Sequence, residues 1–464
     1  MESPKVFHQK GGHRLGGWLP GDPTHVDGWI RKLKKRIAAR PRDLVPPIKA
    51  FQEMVYADQV LHRTMAAMFA EAYLRRKETP LGTPEVRNFE EFLVLLNGIM
   101  TTAPEYYECE ERKAGREELE PCGLIGFPIN ALLDWPMGTV SGYDVFANSL
   151  VNQQFKKILS YWSQFLVTQD SRYVLVEGDP DGTPVVIPWL SETAKKEMVD
   201  VACSAVGEGA GCTGTETFQD IFNCKPQDPD YGFQSWDDFF TRTFVPGVRP
   251  VTAPSDDRVI VNACESAPFA LRRNVSESAK FWIKGQPYSL ENMLEWDPYT
   301  PQFVGGTVYQ AFLSALSYHR WHSPVSGTVK KAYVINGSYY LENMYQGFKG
   351  PGGADDAAPN DSQAFLTAVA TRALIFIEAD NPDIGLMCVM PVGMAEVSSC
   401  QITVCEGDHV VKGQQLGMFH FGGSTHCLIF RPGVELDFHL YGQKPGPDAS
   451  TNIRINTAIA TVKR

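Results

Sequence analysis

The chain lacks a long apolar run: none of its 464 residues falls in an uninterrupted stretch near the ~20 apolar residues that span a bilayer. Its opening, Met1-Glu2-Ser3-Pro4-Lys5, lacks the apolar segment of a secretory leader. These two absences set the expectation of a cytoplasmic protein with no stable membrane insertion. Excess positive charge is missing too. A net charge of −11 leaves no basic field to neutralise phosphates, which argues against a nucleic-acid partner. The ten cysteines include no Cys-x-x-Cys pair, so no close-spaced metal ligands stand out, and they read as reduced thiols with no metal site.

What is present divides into a helical and a β-rich part, an α+β chain. Residues 1–25 form a Gly-, Pro- and His-rich lead-in without periodicity. Residues 26–228 read as a mostly helical domain. Apolar spacing predicts helices from Trp29 to Arg40, Phe51 to Arg76, Phe89 to Met100 and Val145 to Val167, and another opening at Ser191 as N-cap. The first carries seven basic residues between Arg31 and Arg42. Its apolar stripe, Leu33 and Ile37, is too thin for insertion, so a solvated face is the expectation. Gly209-Ala210-Gly211-Cys212-Thr213-Gly214 fits the dinucleotide fingerprint but follows a helical pattern instead of a strand, and reads as a loop.

Pro and Asp at Lys225–Asp230 mark the boundary to residues 229–464. A short helix is expected from Trp236 to Phe244. Beyond it come short β-like runs: Val259–Val261, Phe281–Ile283, Thr328–Val334, Ala373–Glu378, Leu386–Met390, Ile402–Cys405, Leu416–Phe421 and Leu428–Phe430. Gly347 to Ser362 is too polar for a core and reads as a long surface loop.

The chemistry is expected at Gly422-Gly423-Ser424-Thr425. Two glycines let groups approach a peptide carbonyl closely. The Ser424 hydroxyl could then attack the Gly423 carbonyl and convert the peptide bond to an ester. Elimination would cut the chain and leave a dehydroalanine, which hydrolyses to an N-terminal pyruvoyl group. Such a ketone takes up an amine as a Schiff base and draws electrons during decarboxylation. Cleavage needs a base, and His319 and His322, three apart before Pro324, are the candidates. On a strand they would not share a face, so one would serve cleavage and the other the decarboxylation.

These residues have informative company. Tyr318-His319-Arg320-Trp321-His322-Ser323-Pro324-Val325-Ser326-Gly327 and Glu406-Gly407-Asp408-His409-Val410-Val411-Lys412-Gly413, with the Gly-Gly-Ser string, resemble the phosphatidylserine decarboxylase family of pyruvoyl enzymes from Phe239 onward. Tyr231-Gly232-Phe233, Asp237-Asp238-Phe239-Phe240, Ala263-Cys264-Glu265-Ser266 and Thr300-Pro301-Gln302-Phe303 resemble its fungal soluble L-tryptophan decarboxylases. The resemblance implies an autocatalytic zymogen, cleaved at Gly423-Ser424 into a β chain of 1–423 and an α chain of 424–464 that remain partners. Its cofactor would be the pyruvoyl group derived from Ser424, and its substrate a small-molecule amino acid, L-tryptophan, giving tryptamine in alkaloid-forming secondary metabolism.

By the same resemblance His322 is the cleavage base and His319 serves decarboxylation. Asp256, in Ala253-Pro254-Ser255-Asp256-Asp257, is the acid of the triad, with Glu265 a substitute orienter. Asp257 stands where the family has glycine, and Gly422 where many members have leucine. Two other readings compete: a phosphatidylserine decarboxylase making phosphatidylethanolamine, and a biotinyl- or lipoyl-like carrier module. The carrier needs a lysine at a hairpin tip between the half-repeats, and Lys412 lies within the second half.

Overall fold

The computed structural model describes the chain except for residues 1–18, 21–22, 79–81, 83–85, 110–119, 177–187, 210, 280–285, 349–357, 398, 421–423, 448 and 464. The lead-in and the Phe281–Ile283 run thus fall largely outside the described residues. Helices α1 (Pro23–Ala39), α2 (Pro46–Ala57), α3 (Gln59–Lys77) and α4 (Phe89–Ile99) come first. A hairpin of β1 (Glu105–Cys109) and β2 (Glu120–Ile125) follows, then α5 (Pro128–Met137), α6 (Val140–Ala147), α7 (Ser149–Leu166), α8 (Glu192–Ser204), α9 (Phe218–Ile221) and α10 (Trp236–Phe240).

Caps split two helices that periodicity alone reads as continuous. Asp58 is extended (φ −107°) and its carboxylate accepts from Val60 N and Leu61 N, ending α2 and starting α3. Asn148 does the same between α6 and α7. Ser191 caps α8 as expected, accepting from Ala194 N at 3.2 Å. Helix α5 escaped the apolar pattern because its prolines read as breakers. Pro128 instead occupies the first turn, where no N–H is needed, and Pro136 the last. On α1, Trp29, Ile30 and Leu33 are buried, while Lys34 pairs with Glu91 and Arg36 with Glu105. The rest of the basic run, Arg31, Lys32, Lys35, Arg40 and Arg42, is exposed, the solvated face expected.

The second part is built of antiparallel sheets. A central seven-stranded sheet contains β4 (Ala267–Arg272), β5 (Thr307–Leu313), β7 (Gly327–Ile335), β8 (Arg372–Ala379), β9 (Leu386–Gly393), β11 (His409–Val410) and β13 (Ser424–Phe430). Its spatial order is β11-β7-β8-β9-β13-β5-β4. A second sheet has β10 (Ser399–Ile402), β12 (Gln415–His420) and β6 (Arg320–His322) in that order. The third joins β14 (Leu436–Phe438), β15 (Ala458–Val462) and β3 (Val259–Val261). Strands β5 and β13 are buried along their whole length, so they show no inside–outside alternation, and β5 went unread. The helices pack on this system through Phe146 and Phe155, whose rings lie 5.9 and 4.9 Å from that of Tyr340.

The glycine-rich segment around Gly209 is a loop, with no strand–helix unit behind it. The reduced-thiol reading fails here: Cys203, at the end of α8, is disulfide-bonded to Cys212, their Cα atoms 5.4 Å apart. The loop returns the chain to the helix terminus, a proximity that sequence spacing does not display. Ala358–Asp361, within the expected surface loop, forms a helical turn.

Candidate active site

Ser424 is the first residue of β13, the strand flanked on both sides in the large sheet. In register it faces Leu313 of β5 and Gly393 of β9. It is fully buried, and its Oγ has no hydrogen-bond partner among the described residues. A buried hydroxyl left unmet is costly, which marks the position as chemically charged in purpose. Gly423 and Gly422 lie outside the described residues. Thr425, on the opposite face, is fully engaged: it accepts from Gln310 Nε2 at 3.0 Å and donates to Ala311 O at 2.9 Å.

The two histidines occupy separate settings. Beyond Leu313, Ser314–Ser317 turn the chain, with Ser317 N donating to Ser314 O at 3.1 Å, and deliver it to β6. On the ladder between β6 and β12, His322 faces Gln415 while Phe419 N donates to His319 O at 2.9 Å. Since β12 ends at His420, four residues before Ser424 in the chain, His319 stands at the end of this ladder nearer in sequence to Ser424 and His322 further down it. The His319 ring is buried and stacked on Phe240 at 4.2 Å. Burial, then the nearby Arg242 cation, holds its pKa well below the ordinary value. His322 has Nε2 at 3.0 Å from the Tyr318 hydroxyl, and the Gly413 backbone and the Asn456 side chain lie within hydrogen-bonding reach of its ring. Burial pushes its pKa down to about 4. Both rings are therefore neutral at pH 7 and able to take a proton.

Neither expected acid touches His322. Asp256 lies in an exposed turn, gripped by Arg258 through Nε at 3.0 Å and Nη2 at 2.7 Å, which holds its carboxyl down at about 2. Arg258, two residues along, offers the nearer cation, so the structure does not bring the expected triad together. Glu265 is buried, but its carboxylate is taken by Arg249 at 2.6 Å and by Ile455 N at 2.8 Å. Aromatic rings separate it from His322. Arg249 lies 4.7 Å over Phe244, which stacks at 4.5 Å on Tyr318. Tyr318 is the direct partner of His322; it stood inside the His-Arg-Trp-His string, but a phenol is not a usual orienter in a triad.

Three further groups surround the Ser424 end. On α10, Asp237 holds His420 Nδ1 at 2.9 Å, and Gln401 Oε1 sits 2.7 Å from His420 Nε2. The same helix supplies Phe240. Glu396 follows β9, three residues past the register partner of Ser424. It is fully buried; Oε1 accepts from Ile129 N at 2.5 Å and Asn130 N at 2.8 Å, in the first turn of α5. Its Oε2 has no partner among the described residues, and burial pushes its pKa up to about 8. His426, on the Ser424 face of β13, is also buried, its pKa pushed down to about 3. No periodicity flags Glu396 or His426, because their significance arises only from strand register.

Comparison with known proteins gives two family matches, both to phosphatidylserine decarboxylase, over residues 45–198 and 236–449. A protein named decarboxylase iboD, from Amanita muscaria, is 41% identical over 73% of this chain and 93% of its own length. A protein named L-tryptophan decarboxylase, from Psilocybe cyanescens, is 34% identical over 100% of this chain and 96% of its own. Phosphatidylserine decarboxylase proenzyme 3 of Schizosaccharomyces pombe is 31% identical over 44% of this chain and 20% of its own.

Proposed function

Because this chain belongs to the phosphatidylserine decarboxylase family, we propose that it is a cytosolic, pyruvoyl-dependent carboxy-lyase for a free aromatic L-amino acid, converting L-tryptophan to tryptamine and CO2 for alkaloid-forming secondary metabolism. The observation that carries the reading is the buried, unmet Ser424 hydroxyl at the head of the central strand. The substrate assignment is supported by coverage: the tryptophan decarboxylase of Psilocybe cyanescens aligns end to end, the lipid decarboxylase proenzyme over a fifth of its length. Among the described residues no helix is long and apolar enough to cross a membrane.

In this reading Ser424 Oγ attacks the Gly423 carbonyl, and His322 accepts its proton at the ring nitrogen that Tyr318 does not hold. The ester so formed is eliminated, giving the β chain and an α chain headed by the former serine. The pyruvoyl group supplies a carbonyl able to withdraw electrons as CO2 is lost, and the protein supplies its setting. The residues around Ser424 fit such a group, being buried and including a hydroxyl with no competing partner. His319, neutral and pressed against Phe240 at the Ser424 end, holds the proton returned to the substrate carbon. Assaying purified enzyme with free L-tryptophan and with phosphatidylserine in micelles tests the assignment: tryptamine from the first supports it, and ethanolamine lipid from the second alone refutes it.

A further inference from the structure

A cleft of about 540 Å³ runs between α7 and the edge of the catalytic sheets, a volume in the range of small-molecule sites. One wall is a single helical stripe, Lys156, Leu159, Ser160, Ser163 and Val167, at the i, i+3, i+4, i+7, i+11 spacing of one helix face. Two small serines at its middle leave the space open. The facing wall comes from the sheet side: Val334, Tyr339, Thr371 and Cys400. Val167 and Val334 are 55% and 38% exposed, apolar surface that none of the described residues covers. Lys156 Nζ donates to Asn336 Oδ1 at 2.7 Å across the rim.

Ser424 does not line the cleft, but one of the lining residues, Thr371, lies two strands from it. Gly393 N donates to Thr371 O at 2.9 Å, and Gly393 is the register partner of Ser424. Thr371, Gly393 and Ser424 thus form one cross-strand row, spanning two strand spacings or about 10 Å. The middle member has no side chain. His420, four residues before Ser424, also lines the cleft and is fixed there by Asp237 and Gln401.

We propose that this cleft receives the aromatic side chain of the substrate, so that helix α7 of the N-terminal part is a specificity wall for the C-terminal chemistry. The inference rests on the reading of the protein as a decarboxylase of a free aromatic amino acid. The ring lies between the helical stripe and the Val334–Tyr339 wall, and the amino-acid end points along the row toward Ser424. The test uses the full-length, self-processed enzyme carrying Ser160→Trp or Ser163→Trp, with Lys157→Trp, exposed on α7 but outside the cleft, as control. KM for L-tryptophan rises at least tenfold in both cleft variants, with kcat within about twofold and fragmentation on a denaturing gel unchanged; the control matches the wild type. Calorimetry with indole, which has no amine to react, shows binding to the wild type and control and a matching loss in the cleft variants. Unchanged KM and indole affinity in the cleft variants, or equal changes in the control, overturn the proposal. A wild type that turns over no aromatic amino acid overturns the parent reading as well, and is told apart because it requires no variant.

Discussion

The helical part and the central sheet are both densely buried, yet they treat their polar groups differently. Among the helices, Trp162 Nε1 donates to Thr102 O at 2.9 Å, Gln154 Nε2 to Pro47 O at 2.6 Å, and Asn152 Oδ1 accepts from Tyr339 N at 3.1 Å. Around β13 the Ser424 Oγ, the Tyr309 hydroxyl and Glu396 Oε2 have no partner among the described residues, against Asn130 Oδ1 among the helices. Unmet buried groups weaken a fold. Their concentration near one strand teaches that stability is supplied by one region and given up for chemistry in the other.

Substitutions should separate the two regions. The largest effect is expected at the histidines. His322→Ala slows fragmentation by about 10²–10⁴-fold, the usual range for loss of a general base, as followed on a gel after expression. His319→Ala should fragment normally but lose turnover. Normal fragmentation in His322→Ala with none in His319→Ala exchanges the two roles, as the ladder register allows. In the helical part, Phe155→Ala empties a site packed by Phe51 and Tyr340 at 5.4 and 4.9 Å. It should cost about 3–5 kcal/mol in denaturant unfolding while the surviving folded protein still fragments.

Glu396 gives a pH signature. The folded protein keeps its proton to about pH 8, whereas the unfolded chain releases it near the ordinary value of 4.5. Between those limits the folded state binds more protons, so this group's contribution to stability falls as pH rises, by at most about 1.4 kcal/mol per unit. Glu396→Gln removes that slope, which melting temperatures would reveal as a flatter profile between pH 6.5 and 8 and a steeper rise between pH 5 and 6.5, where Glu396 no longer opposes the histidines. The buried neutral histidines act the other way, losing stability as pH falls below 6.5, and remain in both proteins. The smallest effect is expected at Asp256. Its carboxylate is paired with the exposed Arg258, so Asp256→Asn should leave denaturant unfolding and fragmentation both close to wild type. A tenfold slower cleavage would restore it to the triad.

Much of this contrast could be read in advance where local rules dominate. Ser191 announces α8, and the apolar run Leu428–Phe430 announces part of β13. Legibility ended where tertiary proximity decides. Asp58 and Asn148 interrupt apolar periodicity through caps, β5 hides its strand character by being buried on both faces, and Tyr318 replaces a carboxylate through a contact that closes only once β6 is placed. The pairing of Asp256 with Arg258, two residues away, was likewise not displayed by the turn sequence.

The central claim is that the chain breaks itself before Ser424. Intact-mass measurement of the active, purified enzyme tests it directly. Fragments of 423 and 41 residues, the smaller headed by a pyruvoyl group, and an unbroken chain in Ser424→Ala, are the predicted result. A single 464-residue polypeptide with full activity would contradict it.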